Sequence, residues 1–187
     1  GARVDAAEFD RLLQAAGGRA DDASLQLVEQ AVALYRAPLL DGMPNCGSDL
    51  FDEWLSMQRE RLAQRASAAL AKLSDAYLAR REFRQAERFA RRLLELDPLC
   101  EPAHRSVMHG LAGLGDPAAA LRQFKQCVAL LQAELDVGPM PETTALANEI
   151  RAFVPGPNAV DLAGPAEAVR APGAHDEEMR RRSPSMR

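Results

Sequence analysis

Apolar residues recur at three- and four-residue steps through most of the first 153 positions, a spacing that predicts α-helices. The first predicted helix covers residues 4–16 and stops at the glycine pair Gly17 and Gly18. Asp22 is predicted to cap a second, antiparallel helix that Pro38 ends. Residues 37–50 contain two prolines and two glycines, which predict an ordered loop that packs down.

A long segment without Pro or Gly follows at residues 51–81 and predicts one helix of about 45 Å, at about 1.5 Å per residue. Such a helix should bridge two neighbouring packing layers. Pro and Gly then separate predicted helices at residues 83–96, 102–114 and 117–135, and a last short helix begins near Pro141. Residues 155–187 hold five Pro and three Gly and few large apolar side chains, which predicts a disordered tail. We therefore expect two parts, a helical domain at 1–154 and a tail at 155–187.

The segment ending in "ELDP" repeats a pattern of about 34 residues. A shift of that length aligns Ala86 with Ala120 and Ala90 with Phe124, the period of tetratricopeptide repeats. Three features depart from the usual repeat: Ser74 replaces a Gly, His104 replaces a large aromatic residue and Gln132 replaces a Pro. The first two helices look like a weaker pair. The sequence thus predicts an all-α, tetratricopeptide-like stack of antiparallel helix hairpins with one long helix.

Charge and cysteine content narrow the class of protein. The formal net charge is −4 and arises entirely before residue 155, which argues against a chain that binds nucleic acid by charge alone. The chain has an odd number of cysteines, Cys46, Cys100 and Cys127, and their spacings match no metal-binding motif. We therefore expect free thiols in a reducing compartment. No apolar run is long enough for a signal peptide or a membrane span, so we expect a cytoplasmic protein without membrane contact.

Five strings together resemble the bacterial transcriptional activator domain, which occurs in the Streptomyces antibiotic regulatory proteins. They are "VDAAEFDRLL", "ALYRAPLLDG", "FDEWLSMQRERL", the stretch from "LARREFRQ" to "ALRQF", and "LLQAELDVGPMPET". Their order is that of the family, and the resemblance covers roughly residues 4–153. It implies a domain that assists dimerisation and engagement of RNA polymerase, usually after a winged helix-turn-helix that contacts the promoter.

The resemblance also sets the expected partners. No winged-helix reader is found within these 187 residues, so any DNA contact is expected only through such a module outside this chain. The expected partners are RNA polymerase subunits or a second copy of the chain, that is, a homodimer. The alternative is a general tetratricopeptide-type adaptor that binds a peptide or protein without a transcriptional role.

Arginines recur at three- and four-residue steps on the predicted helix at 83–96 and form a candidate partner-binding site. They are Arg81, Arg84, Arg88, Arg91 and Arg92, with Arg80 nearby. Such a face can bind phosphate or an acidic protein surface. Three glutamates, Glu82, Glu87 and Glu95, are interleaved with them, and this mixture is more often an ordinary solvated helix.

Trp54, Leu55 and Tyr77 on the long predicted helix are candidates for the core or for a dimer seam. If Trp54 is in the core, its truncation to Ala should cost about 3–5 kcal/mol.

The remaining candidates are weaker. Cys100, His104 and His109 lie close together, but Pro102 intervenes and no fourth ligand has suitable spacing, which argues against zinc. No nucleophile elbow, metalloprotease motif, dinucleotide fingerprint or phosphate-binding loop occurs, so we expect neither enzymatic activity nor a cofactor.

Overall fold

A computed structural model describes residues 2–17, 21–40 and 48–153 of the chain. Within these ranges all regular structure is helical. The helices are α1 (Ala2–Ala16), α2 (Asp22–Leu34), α3 (Asp49–Ala79), α4 (Phe83–Leu96), α5 (Glu101–Gly113), α6 (Pro117–Leu135) and α7 (Pro141–Phe153). The predicted all-α class is confirmed, and α4 and α6 have the predicted ends.

The cap of α2 differs from the prediction by one residue. Asp21 is the N-cap: its backbone is extended, and its carboxylate accepts a hydrogen bond from the Ser24 amide at 2.8 Å. An N-cap residue stands just before the first helical residue, and its side chain accepts a hydrogen bond from the amide three residues later. Because α2 begins at Asp22, Asp21 holds this position. Asp22 instead lies in the first turn and forms an ion pair with Arg80 at 2.5 Å.

Helix α3 bridges two parts of the core, as its length predicts. Near its middle, Leu62 and Ala66 pack in one cluster with Phe9 of α1 and Ala31 of α2. One to two turns later, its next apolar residues belong to a second cluster that also contains residues of α2, α4 and α5. Because successive helices pack against each other across short connections, the chain forms a stack of antiparallel hairpins.

The repeat positions lie where neighbouring helices pack against each other. Ala86, Ala90 and Ala120 are completely buried. A side chain at Gly110 would place its Cβ 3.0 Å from the Cβ of Glu87, so α4 and α5 approach each other closely there. Ser74, which replaces the usual Gly, is buried and donates its hydroxyl to the Ala86 carbonyl at 3.2 Å. The fold is therefore tetratricopeptide-like, and the buried hydroxyl of Ser74 has a hydrogen-bond partner.

The last hairpin is closed by α7. Helix α6 ends at Asp136, which adopts a left-handed conformation with φ of 54°. Helix α7 then packs on α5 and α6 through Leu146, Ala147 and Ile150.

Two sequence predictions fall on other parts of the chain. Half of the expected ordered loop (41–47) and all of the expected disordered tail (155–187) lie outside the described residues, as does the proposed boundary at 154. The described start of the loop is held to α3, because Arg59 donates to the carbonyl oxygens of Leu39 at 2.7 Å and Leu40 at 2.8 Å.

Candidate protein-interaction surface

Helix α4 places its arginines by burying the opposite side. Ala86, Phe89, Ala90 and Leu93 fall on one stripe and are buried in the stack. The positions between them therefore face outward. Arg84, Arg88 and Arg91 are exposed and line one shallow depression, which we call the arginine face.

The charges of the arginine face are only partly neutralised. Arg91 donates to Glu87 at 2.8 Å, an exposed pair one helical turn apart. The guanidinium of Arg88 lies 4.5 Å from the centre of the Phe89 ring, a cation–π contact that leaves its charge in place. Neither Arg84 nor Arg88 has an acidic partner among the described residues. The face thus keeps positive charge that a partner can meet.

Two of the five predicted arginines lie apart from this face. Arg92 is half-buried and donates to the carbonyl oxygens of Val32, at 2.6 Å, and Tyr35, which lie at the carboxyl end of α2. These carbonyls lack helical partners, and a cation there also opposes the negative end of the helix dipole. Arg81 precedes α4 with φ of 60°, and its guanidinium lies 6.0 Å from the Phe83 ring centre. Arg92 therefore holds α2 against α4, while Arg81 belongs to the turn.

The amino-terminal end of α3 exposes an apolar stripe. Leu50, Trp54 and Met57 are 80%, 41% and 57% exposed, and their spacing puts them on one side of the helix. The core interpretation of Trp54 is therefore wrong, because Trp54 lies on the outward side of α3, whereas the next residue, Leu55, is buried. Its ring instead contacts that of Phe51, with 5.7 Å between centroids. We call Leu50, Trp54 and Met57 the apolar end of α3.

Leu55 and Tyr77 face the interior. Leu55 is buried, and the Tyr77 ring stacks on Phe89 of α4 with a centroid distance of 5.7 Å. The Tyr77 hydroxyl donates to the carboxylate of Glu29 in α2. Burial, together with this hydrogen bond, raises the pKa of Tyr77 to about 12. Tyr77 thus links three helices.

A polar cluster that the sequence pattern did not reveal joins α5 to α7. Glu101 Oε2 accepts hydrogen bonds from the Thr143 hydroxyl at 2.7 Å and from the Met140 amide at 2.9 Å. Thr143 Oγ1 in turn accepts from Arg105 at 2.9 Å. Thr143 is completely buried and Glu101 nearly so. Both buried polar side chains therefore have hydrogen-bond partners within the protein.

Cys100, His104 and His109, whose spacing argues against a zinc site, lie on α5 or at its amino-terminal cap. His104 is buried, and both of its ring nitrogens are in hydrogen bonds, with the Pro98 carbonyl at 2.9 Å and the Gln123 amide at 2.7 Å. His109 is exposed on the same helix. Cys100 and Cys127 are free thiols; burial raises the pKa of both, that of Cys127 to about 11. Cys46 lies outside the described residues. No cluster of three potential metal ligands occurs in the described ranges.

These helices define a tetratricopeptide-like repeat protein. A model of the bacterial transcriptional activator domain family matches residues 4–151, and because the match covers most of the 187 residues, the chain belongs to this family. The family is regulatory and concerns activation of transcription. No curated protein matches the chain. Among the described residues, no helix combines the length and apolar character needed to cross a membrane.

Proposed function

We propose that this chain is the protein-interaction module of a bacterial transcriptional regulator, which assists self-association and engagement of RNA polymerase at a promoter. Membership of the activator-domain family is the observation that carries the proposal. The arginine face supports it, because Arg84 and Arg88 are exposed and have no acidic partner in the described residues. Such a face favours an acidic surface on the partner.

The proposed mechanism is scaffolding. The helical stack holds two partners at fixed positions, so that a tethered DNA reader and the polymerase are brought to the same promoter. DNA contact is left to a winged-helix module outside residues 1–187, in keeping with the net charge of −4. Because bacterial promoters lie in the cytoplasm, this role requires a cytoplasmic protein.

Self-association is assigned to the apolar end of α3. Leu50, Trp54 and Met57 form a contiguous exposed apolar stripe of the kind that a protein partner covers. A second copy presents the same stripe, so pairing the two around a twofold axis buries both at once.

Size-exclusion chromatography with light scattering tests both parts. We expect the chain to elute at twice its mass of 20.3 kDa and to co-elute with RNA polymerase holoenzyme. A Trp54→Ser/Met57→Ser variant should be a monomer, whereas Leu114→Ser, which removes an exposed Leu elsewhere, should remain a dimer. A chain that never co-elutes with polymerase would contradict the transcriptional role and favour the adaptor.

A further inference from the structure

A small groove between α4 and α6 has the features of a binding site and is distinct from the proposed self-association surface. Its walls include Leu94 of α4, Leu130 of α6 and Pro98 of the connection after α4, and Gln123 of α6 lies among them. Both leucines are half-buried, and Gln123 is only 6% exposed. The groove therefore offers apolar walls around a deeply placed amide.

The hydrogen bonds of His104 fix the orientation of that amide. The Pro98 carbonyl can only accept, so the Nε2 atom of His104, 2.9 Å away, must carry the proton. In the neutral ring Nδ1 is then an acceptor, and the Gln123 amide nitrogen donates to it at 2.7 Å. The oxygen of the same amide has no hydrogen bond among the described residues. Gln123 therefore presents an acceptor that no described protein group satisfies and that remains accessible to solvent.

The rim of the groove carries one carboxylate without an ion pair among the described residues. Arg91 and Glu95 both line it, but Arg91 is already paired with Glu87 at 2.8 Å. Glu95 is exposed and has no ion pair among the described residues. A ligand with a positive charge next to the groove would complement Glu95.

The volume of the groove limits what it can hold. It measures about 270 Å³, which is below the range of about 300–1,000 Å³ typical of sites for whole small molecules. A pocket of this size suits one apolar side chain, in the way that an interface anchor fills a pocket on its partner.

We propose that the groove between α4 and α6 binds a polypeptide partner through one aliphatic side chain and an adjacent basic residue. The aliphatic side chain packs between Leu94 and Leu130. A backbone N–H of the partner donates to the Gln123 amide oxygen, and the basic side chain pairs with Glu95. The partner is thus a basic-aliphatic segment, the opposite in charge of the acidic surface that the arginine face would meet.

The test is an NMR titration of the ¹⁵N-labelled chain, residues 1–187, with N-acetyl-lysyl-leucinamide. We expect saturable shifts of the Gln123 side-chain amide signals and of backbone amides at Leu94 and Leu130. Two matched probes separate the contribution of the charge from that of the aliphatic side chain. N-acetyl-glutamyl-leucinamide should bind about two- to fivefold more weakly, the range of an exposed ion pair, and N-acetyl-lysyl-serinamide should produce no saturable shift.

Two charge variants complete the test. Glu95→Gln should remove the preference for the lysyl over the glutamyl probe, whereas Glu134→Gln, at an exposed position of α6 outside the groove, should keep it. The proposal is overturned if the Gln123 signals do not move, or if both variants behave alike. Because the probe contains no polymerase, either result is independent of the proposed transcriptional role.

Discussion

One buried hydroxyl should contribute measurably to the attachment of α7 to α5, beside the apolar packing. Replacing Thr143 by Val keeps the shape of the side chain but removes the group that donates to Glu101 at 2.7 Å and accepts from Arg105 at 2.9 Å. Glu101 then keeps only the Met140 amide as a described partner, although it is 9% exposed. A buried carboxylate is left short of one hydrogen bond.

The expected cost follows from the kind of bond that is lost. A hydrogen bond to a charged group contributes about 1.5–3 kcal/mol, and a buried group without its partner loses a similar amount. We therefore expect Thr143→Val to lower the free energy of unfolding by about 2–3 kcal/mol. With a urea m-value of about 2 kcal/mol per molar, the midpoint should fall by about 1–1.5 M.

Urea unfolding followed by circular dichroism measures this shift. Thr144→Val is the matched control, because Thr144 is the next residue, is less buried and takes no part in the Glu101 cluster. Its effect should stay within about 0.5 kcal/mol. Equal midpoints for the Thr143 and Thr144 variants would refute the reasoning and show that apolar contacts alone hold α7.

Three further predictions address the core, a close approach and a titrating group. Trp54→Ala should cost less than about 1 kcal/mol, since Trp54 is 41% exposed, whereas Leu73→Ala at a fully buried site should cost about 2–5 kcal/mol; equal losses of thermal stability would contradict this. Gly113→Ala would place a Cβ 2.5 Å from the Phe83 ring and should cost about 1–3 kcal/mol in chemical unfolding, while Gly138→Ala, which meets open space, should not destabilise the protein. The pKa of Tyr77 is raised to about 12, so its neutral form stabilises the fold below pH of about 10, and this contribution is lost as pH rises towards 12. Absorbance titration at alkaline pH should show a late-ionising phenol that Tyr77→Phe removes, and an unchanged titration curve would speak against the buried contact with Glu29.

Local signals explain why most helices were predictable from the sequence. Pro117 stands at the start of α6 and Pro98 just after the end of α4, and both of these helix ends are where the sequence predicts them. The repeat period also identified Ala86 and Ala120 as positions of close packing, and both are fully buried. Where adjacent residues compete for one role, as Asp21 and Asp22 do for the cap of α2, sequence pattern cannot choose between them.

The roles of individual side chains depended on distant parts of the chain. The sequence pattern puts Arg92 on an exposed arginine stripe, but its acceptors are the carbonyls of Val32 and Tyr35, some 60 residues earlier. Periodicity puts Trp54 on the long helix but does not show that its side chain faces away from the core. Glu101 and Thr143 are 42 positions apart, and only the path of the chain brings them together.

The central claim is that the arginine face engages RNA polymerase, and the most direct test is a binding titration of the full chain against the holoenzyme. We expect an Arg84→Glu/Arg88→Glu variant to bind at least about tenfold more weakly than the unaltered chain, because close interfacial charge pairs contribute more than about 1.5 kcal/mol each. The control variant Arg122→Glu changes an exposed arginine on a different helix, α6, and should bind the holoenzyme like the unaltered chain. Unchanged affinity in the double variant, or an equal loss in the Arg122 variant, would contradict the account.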